Sequence, residues 1–496
     1  MKVAIGEPIS VADVVAVARR AATVTLSERG RAALDVARAA VERCLVGDGP
    51  PTYGVDTGFG ALAEVRIPKG DLALLQKNLV RSHAVGVGPA LPVDAVRAMM
   101  LLRAQVLAQG YSGVRALVVE RLLALIDAGV HPIIPSLGSV GACGDLAPLA
   151  HLALVLIGEG EVELDGVRMS GAAALAKVGV PVTELAPKEG LSLINGTAAM
   201  LGVGVLALER AQTLVRSADV TGAMSLEALK GSVGPFEPAI IAARPHPGAL
   251  AAAAHLRDLL AESAINASHV DCTEVQDAYS LRCMPQVHGS ARDILTFVEG
   301  VLSIELNAAT DNPLVLPDGR IRSGGNFHGQ PVAAALDMGS IALVDIASIS
   351  ERRIAYLVDA NRNRGLPAFL ATQSGLESGF MMAQVTAAAL VAEARAMAVP
   401  RSADSIPTSA DREDHVSMGM GSARAFAEVV SLCGWVLAIE AVVAAHGVEL
   451  RKLRPGRGVA RAVATVRTKV PPMTGDRAQS ADFAAAKALI EDGALL

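Results

Sequence analysis

Three glycines punctuate Gly138-Ser139-Val140-Gly141-Ala142-Cys143-Gly144, a run held between Pro135 and the apolar segment Leu146-Ala147-Pro148-Leu149-Ala150-His151. Glycine reaches backbone conformations that side chains forbid and proline cannot continue a helix, so this stretch must be a tight, irregular turn feeding a helix. A plain glycine-rich connection accounts for the glycines but not for the sulfur among them. With small neighbours, the amide nitrogen of Gly144 can fold back onto the carbonyl carbon of Ala142 and close a five-membered ring with loss of water. If residue 143 then loses its Cα proton and a leaving group from its β carbon, an exocyclic methylidene remains, and its carbon is strongly electrophilic. The thiol of Cys143 can leave as hydrogen sulfide, so the backbone itself can become a cofactor.

The rest of the chain reads as a scaffold for that turn. Of its 496 residues 52% are hydrophobic but only 3% aromatic, which leaves alanine, leucine and valine to build the core and favours closely packed helices. Long apolar runs over Leu201–Leu229, Val332–Val358 and Ala383–Val399 predict long helices, as in a bundle. The expected fold is all-α: residues 1–200 form a smaller loop-rich part carrying the turn, and residues 201–496 a large bundle of long helices, the two expected as one continuous structural unit since no linker divides the chain. Two small β-hairpins are expected, at Val162–Met169 around Asp165-Gly166 and at Leu314–Ile321 around Asp318-Gly319. Val11–Leu45 reads as helical, interrupted at Thr25-Leu26-Ser27.

Composition also excludes partners. A net charge of −6, with 44 basic and 50 acidic residues, argues against a nucleic-acid surface, and the basic stretch Arg451–Lys469 lacks aromatics for base stacking. The start has no signal-peptide core, and the uncharged run Gly190–Leu208 is broken by Asn195-Gly196-Thr197, which predicts a buried helix rather than a membrane span. Five cysteines (Cys44, Cys143, Cys272, Cys283, Cys433) without a C-x-x-C pair indicate a cytoplasmic chain with free thiols. His328 has no second ligand at metal spacing, so no metal site is expected.

The stretch Gly138–His151 resembles the prosthetic-group loop of the histidine and aromatic amino acid ammonia-lyases at every position but one. Those proteins have serine where this chain has Cys143 and form 4-methylidene-imidazol-5-one, so the resemblance implies that cofactor from Ala142-Cys143-Gly144. The departure leaves an immature or inactive form as one reading of the chain. Tyr53-Gly54-Val55-Asp56-Thr57-Gly58-Phe59-Gly60, Glu189–Thr197, Gln276–Gln286, Ser323–Gly329, Gly375–Met381 and Glu413-Asp414-His415 are similar to family motifs in family order.

By the same resemblance Tyr53, Tyr279 and Glu413 carry over as catalytic residues, and His83, Asn195, Gln276, Arg282 and Phe327 as substrate-binding ones. Asn195 would serve equally as a helix N-cap, and Gln276, Tyr279 and Arg282, three apart, would share a face of one helical turn. A guanidinium offers two parallel charge-assisted bonds, which suits Arg282 to a carboxylate. For Tyr53 to take a proton its pKa must fall well below the ordinary value of about 10. Ser82-His83 and Glu413 resemble the histidine-specific members, which implies L-histidine converted to trans-urocanate and ammonia. A tyrosine or phenylalanine ammonia-lyase or an aminomutase is the alternative. The family further implies a homotetramer whose active sites are shared between subunits.

Overall fold

Alanine, leucine and valine pack closely only if backbones approach one another, and the apolar runs accordingly fold as the long helices Ala198–Ala228, Met284–Glu305, Gln330–Val358 and Gly419–Leu450. These come from a computed structural model, which describes residues 1–46, 51–269 and 275–496; Cys272 lies outside the described residues. Helices hold 58% of the chain and strands 8%, so the fold is all-α, as the composition predicts. Three of the long helices are apolar and long enough to cross a membrane, yet 78%, 61% and 72% of their most apolar windows are buried within the protein.

The chain forms two compact units. The first comprises Met1–Leu206, Glu299–Asp337 and Pro400–Arg424, the second Ala207–Val298, Met338–Val399 and Ala425–Leu496. Both predicted hairpins are present in the first unit: Glu161–Leu164 pairs with Val167–Ser170 across Asp165-Gly166, and Leu314–Val315 with Ile321–Arg322. His131–Pro132 adds a third strand to the former. The amino-terminal reading needs correction. Lys2–Ile5 and Thr23–Leu26 form a two-stranded parallel sheet, so the helical segment is two helices, Val11–Ala18 and Glu28–Val46, with a strand between them. Thr23, Val24 and Thr25 are β-branched and stiff in a way that suits a strand; they pair with Lys2, Val3 and Ala4, and Leu26 pairs with Ile5, so that Val3 and Ile5 are buried.

The second unit is tied together by buried charge. Glu440 accepts hydrogen bonds from Thr221, Ser225 and Ser350 at 2.6 to 2.8 Å and takes Arg353 on both oxygens, so one carboxylate cross-links three helices. Asp219 does the same with His255, His288 and Arg292. Such pairs are costly to break singly, because the surviving partner stays buried and uncompensated. Glu440→Gln is therefore expected to lower unfolding free energy by about 3–5 kcal/mol in urea titration; a loss below about 1 kcal/mol would contradict the assignment.

Candidate active site

The glycine turn owes its shape to three left-handed residues, Gly141 (φ 79°), Cys143 (φ 51°) and Gly144 (φ 77°). At Gly144 the requirement is absolute, since a Cβ there would lie 2.2 Å from the carbonyl oxygen of Gly196. Neighbours pin the turn on both sides. Gly196 donates its N–H to the Cys143 carbonyl (3.1 Å), Asp145 donates to the Gly196 carbonyl (2.8 Å), and Met418 donates to the Val140 carbonyl (2.7 Å). Asp145, fully buried at the start of Leu146–Leu156, turns its carboxylate away from its own helix to accept the N–H of Met200 (2.7 Å) at the start of Ala198–Ala228. The turn is thereby fixed between two helix starts.

A cavity of about 210 Å³ opens over this turn, and Tyr53, His83, Cys143, Asn195 and Glu413 all line it. Five of the residues picked from sequence, drawn from positions 53 to 413, thus converge on one space. Cys143 Sγ donates to Glu413 Oε1 at 3.3 Å, and Thr408 Oγ1 donates to Glu413 Oε2 at 2.7 Å, so the carboxylate is clamped from both sides. Burial and the adjacent Glu413 charge push the Cys143 thiol up to about 12, which keeps it protonated. Nδ1 of His83 lies 2.9 Å from the Leu79 carbonyl, which can only accept, so in the neutral ring Nδ1 carries the hydrogen and Nε2 keeps the lone pair.

Tyr53 receives the N–H of Gly60 on its hydroxyl at 3.3 Å and packs edge-on against Phe59, centroids 6.3 Å apart. The proton-acceptor role requires a lowered pKa. The shift is the reverse: burial raises it, the neighbouring Cys143 and Glu413 add to the rise, and the Gly60 bond opposes them. A cation near the phenol, absent from the groups acting on it here, is what the role still needs.

The remaining sequence-derived residues are not among those lining this cavity. Gln276 is exposed ahead of a single helical turn, Tyr279–Arg282, so it does not share a helix face with the other two as the spacing predicted. Tyr279 is 72% exposed and lines a separate open pocket with Cys283, Asp345 and Arg352. The Arg282 guanidinium stacks over the Tyr279 ring at 4.6 Å, and its Nε has no hydrogen-bond partner among the described residues. Phe327 is half-buried beside His328, 6.5 Å between ring centres, and is not among the residues lining the cavity. Sequence reasoning missed Thr408, Ser409 and Asn312, which help enclose or fix the site; Asn312 lies in the family-like stretch Glu305–Pro313 and Ser409 opens the one running to Met418, but neither stood out within it, and nothing marked Thr408.

The donor set fits a methylidene-imidazolone made from Ala142-Cys143-Gly144. The turn already bends left-handed across the ring-forming residues, only glycine fits at position 144, and the Asn195 Oδ1 beside it is buried without a partner among the described residues. Among the described residues no cluster of three or more His, Cys, Asp or Glu stands ready for a metal.

Known proteins resemble this one along its whole length. A model of the aromatic amino acid lyase family matches residues 9–468. A histidine ammonia-lyase of Anaeromyxobacter sp. (strain K) is 55% identical, over 99% of this chain and 98% of its own. One from Sorangium cellulosum is 53% identical over 99% and 98%. Among solved structures, histidine ammonia-lyase from Trypanosoma cruzi superposes with a TM-score of 0.92 at 42% identity, covering 100% of this chain and 94% of that one. A tyrosine aminomutase from Streptomyces globisporus gives 0.93 at 38% identity, covering 100% and 98%.

Proposed function

The chain belongs to the aromatic amino acid lyase family, and from that premise we propose that it eliminates ammonia from L-histidine to give trans-urocanate, the first step of histidine degradation. It is an ammonia-lyase. The observation that carries the choice of histidine is the pairing of His83 and Glu413 in the same cavity as the Cys143 turn. The Glu413 oxygen not held by Thr408 finds a hydrogen-bond donor in an imidazole but none in a phenyl ring. Relatives named histidine ammonia-lyase at 50–55% identity over nearly the full length point the same way.

The cofactor is proposed to form from Ala142-Cys143-Gly144: Gly144 N joins the Ala142 carbonyl carbon with loss of water, and Cys143 loses its Cα proton and its sulfur, together released as hydrogen sulfide. A protonated thiol facing an enclosed cavity supports that route. When formed, the group supplies the electrophile that makes the substrate's amino group able to leave. The chain's own side chains do the rest. Glu413 and His83 hold the imidazole, Arg282 binds the carboxylate by a bidentate contact, and Tyr53, or Glu413 in its place, takes the β proton.

Gln276, Tyr279 and Arg282 are not among the residues that line the Cys143 cavity, and we propose the homotetramer with shared active sites that the family arrangement implies. Exposed apolar side chains in the second unit, Phe297 (51%), Met338 (43%), Ile341 (45%), Met382 (62%) and Val385 (47%), support a buried subunit contact. A guanidinium delivered in this way would supply the missing cation that lowers the Tyr53 pKa. Free thiols and buried apolar helices support a cytoplasmic location. The test supplies histidine, tyrosine and phenylalanine separately and follows each acrylate product. Histidine is expected to lead by at least about a hundredfold in kcat/KM, because the wrong ring leaves polar groups unpaired; preference for either aromatic substrate would overturn the reading.

A further inference from the structure

Behind the cavity wall lies a buried charged cluster for which the elimination has no direct use. Lys188 and Asp311 are fully buried and paired, Nζ to Oδ2 at 3.1 Å. Lys188 also donates to Ser192 Oγ at 3.0 Å, from a left-handed backbone (φ 72°) that a long side chain holds only where its surroundings enforce it. The second Asp311 oxygen accepts from Asn195 Nδ2 at 3.1 Å, and the other amide hydrogen of Asn195 goes to the Asn312 carbonyl at 2.9 Å. Carboxylate and carbonyl can only accept, so the nitrogen and oxygen of this amide cannot trade places. Arg103 fixes the same residue from its backbone side by donating to the Asn195 carbonyl. Asn195 is 2% exposed and lines the cavity, and its buried Oδ1 has no hydrogen-bond partner among the described residues. A buried acceptor without a donor is penalised until a ligand supplies one.

We propose that Lys188 and Asp311 are positioning residues that lock the Asn195 amide with its oxygen toward the substrate, where it accepts a hydrogen bond from the amino group of the bound amino acid. The inference rests on the reading of histidine as substrate. A carboxylate has no hydrogen to give Oδ1, and the imidazole is met by His83 and Glu413. The amino group is a donor whether protonated or not. In Asp311→Asn, the buried Lys188 cation competes for the one remaining oxygen with the Asn195 amide and the backbone N–H of Asn312, which also donates to this carboxylate at 2.7 Å; with the oxygen on the cation, the introduced nitrogen faces Asn195, donor against donor. Asn195 then loses the acceptor that fixes its amide, and its oxygen is no longer held toward the cavity. The double variant Lys188→Met/Asp311→Asn removes that demand, and the introduced oxygen is free to hold Asn195 as before. Replacing both members of a buried pair is also tolerated far better than removing one.

Two ligands separate the roles: L-histidinol keeps the amino group without the carboxylate, and 3-(imidazol-4-yl)propionate keeps the carboxylate without the amino group. Their Kd values are measured by calorimetry on the full chain, as wild type, Asp311→Asn and the double variant, with the intact mass of each preparation recorded. Asp311→Asn is expected to weaken histidinol by about tenfold or more and imidazolepropionate by less than about twofold, with the double variant returning histidinol to within about threefold of wild type. Equal weakening of both ligands, no weakening of either, or weakening of imidazolepropionate alone would overturn the proposal. If Asp311→Asn does not fold, the double variant decides: histidinol binding retained supports it, and selective loss of histidinol overturns it. A wild-type protein that binds neither ligand nor histidine would instead overturn the histidine reading itself.

Discussion

Cys143→Ala is expected to lower histidine turnover by at least about a thousandfold, the scale at stake when covalent activation of the substrate is lost. Alanine has no leaving group on its β carbon, so the turn can at most close its ring and cannot generate an electrophile. The fold has little reason to change. The Cys143 side chain makes one hydrogen bond, to Glu413, and Glu413 keeps its second one from Thr408. The left-handed backbone at position 143 is no harder for alanine than for cysteine. Cys143→Ser carries the opposite expectation: serine leaves as water where cysteine leaves as hydrogen sulfide, and the finished loop is the same. Its turnover should fall within about tenfold of the parent, because only the maturation step differs. Activity of Cys143→Ala near that of the parent, in steady-state assays by urocanate absorbance, would remove the cofactor from the account.

The second large effect is at Tyr53. Tyr53→Phe keeps the ring that packs on Phe59 and removes only the hydroxyl held by Gly60, so it tests proton transfer with little change in shape. The expected loss is about 10²–10⁴ in kcat with KM changed only a few-fold, the usual range for a positioned acid or base. The sign of the pH dependence follows from the direction of the shift. Burial favours the neutral phenol, so a base at this position works only as its proton is lost and the rate rises with pH toward a raised pKa. Consumption of Cys143 removes one of the contributions to that rise, and a cation brought beside the phenol would lower it further. A loss smaller than about tenfold would move the base to Glu413, where Glu413→Gln should then show the larger defect and no alkaline rise.

Much of this site is legible in the sequence because its chemistry is local. Gly141, Cys143 and Gly144 declare the turn by residue type alone, and the structure places all three in the left-handed region. His83, Tyr53 and Glu413 become readable only through resemblance, since nothing in the spacing of residues 53, 83 and 413 says that they meet. Periodicity likewise finds the long helices but not the strand Thr23–Leu26, four residues whose partner is supplied by tertiary pairing. The Lys188–Asp311 pair is invisible in sequence for a related reason, since both residues have ordinary exposed uses and only the fold buries them 123 positions apart. Glu440 hides similarly inside an apolar helix, where its polar partners come from two other helices.

The claim on which the rest depends is that this backbone turns Ala142-Cys143-Gly144 into an electrophile, and intact mass tests it most directly. The purified chain should weigh less than its sequence by one water plus one hydrogen sulfide, and Cys143→Ser, having lost two waters, should give the same mass as the parent. A full-sequence mass for the parent, differing from Cys143→Ser by the replacement of sulfur by oxygen, would mean that the turn stays an ordinary loop and that the account of catalysis is wrong.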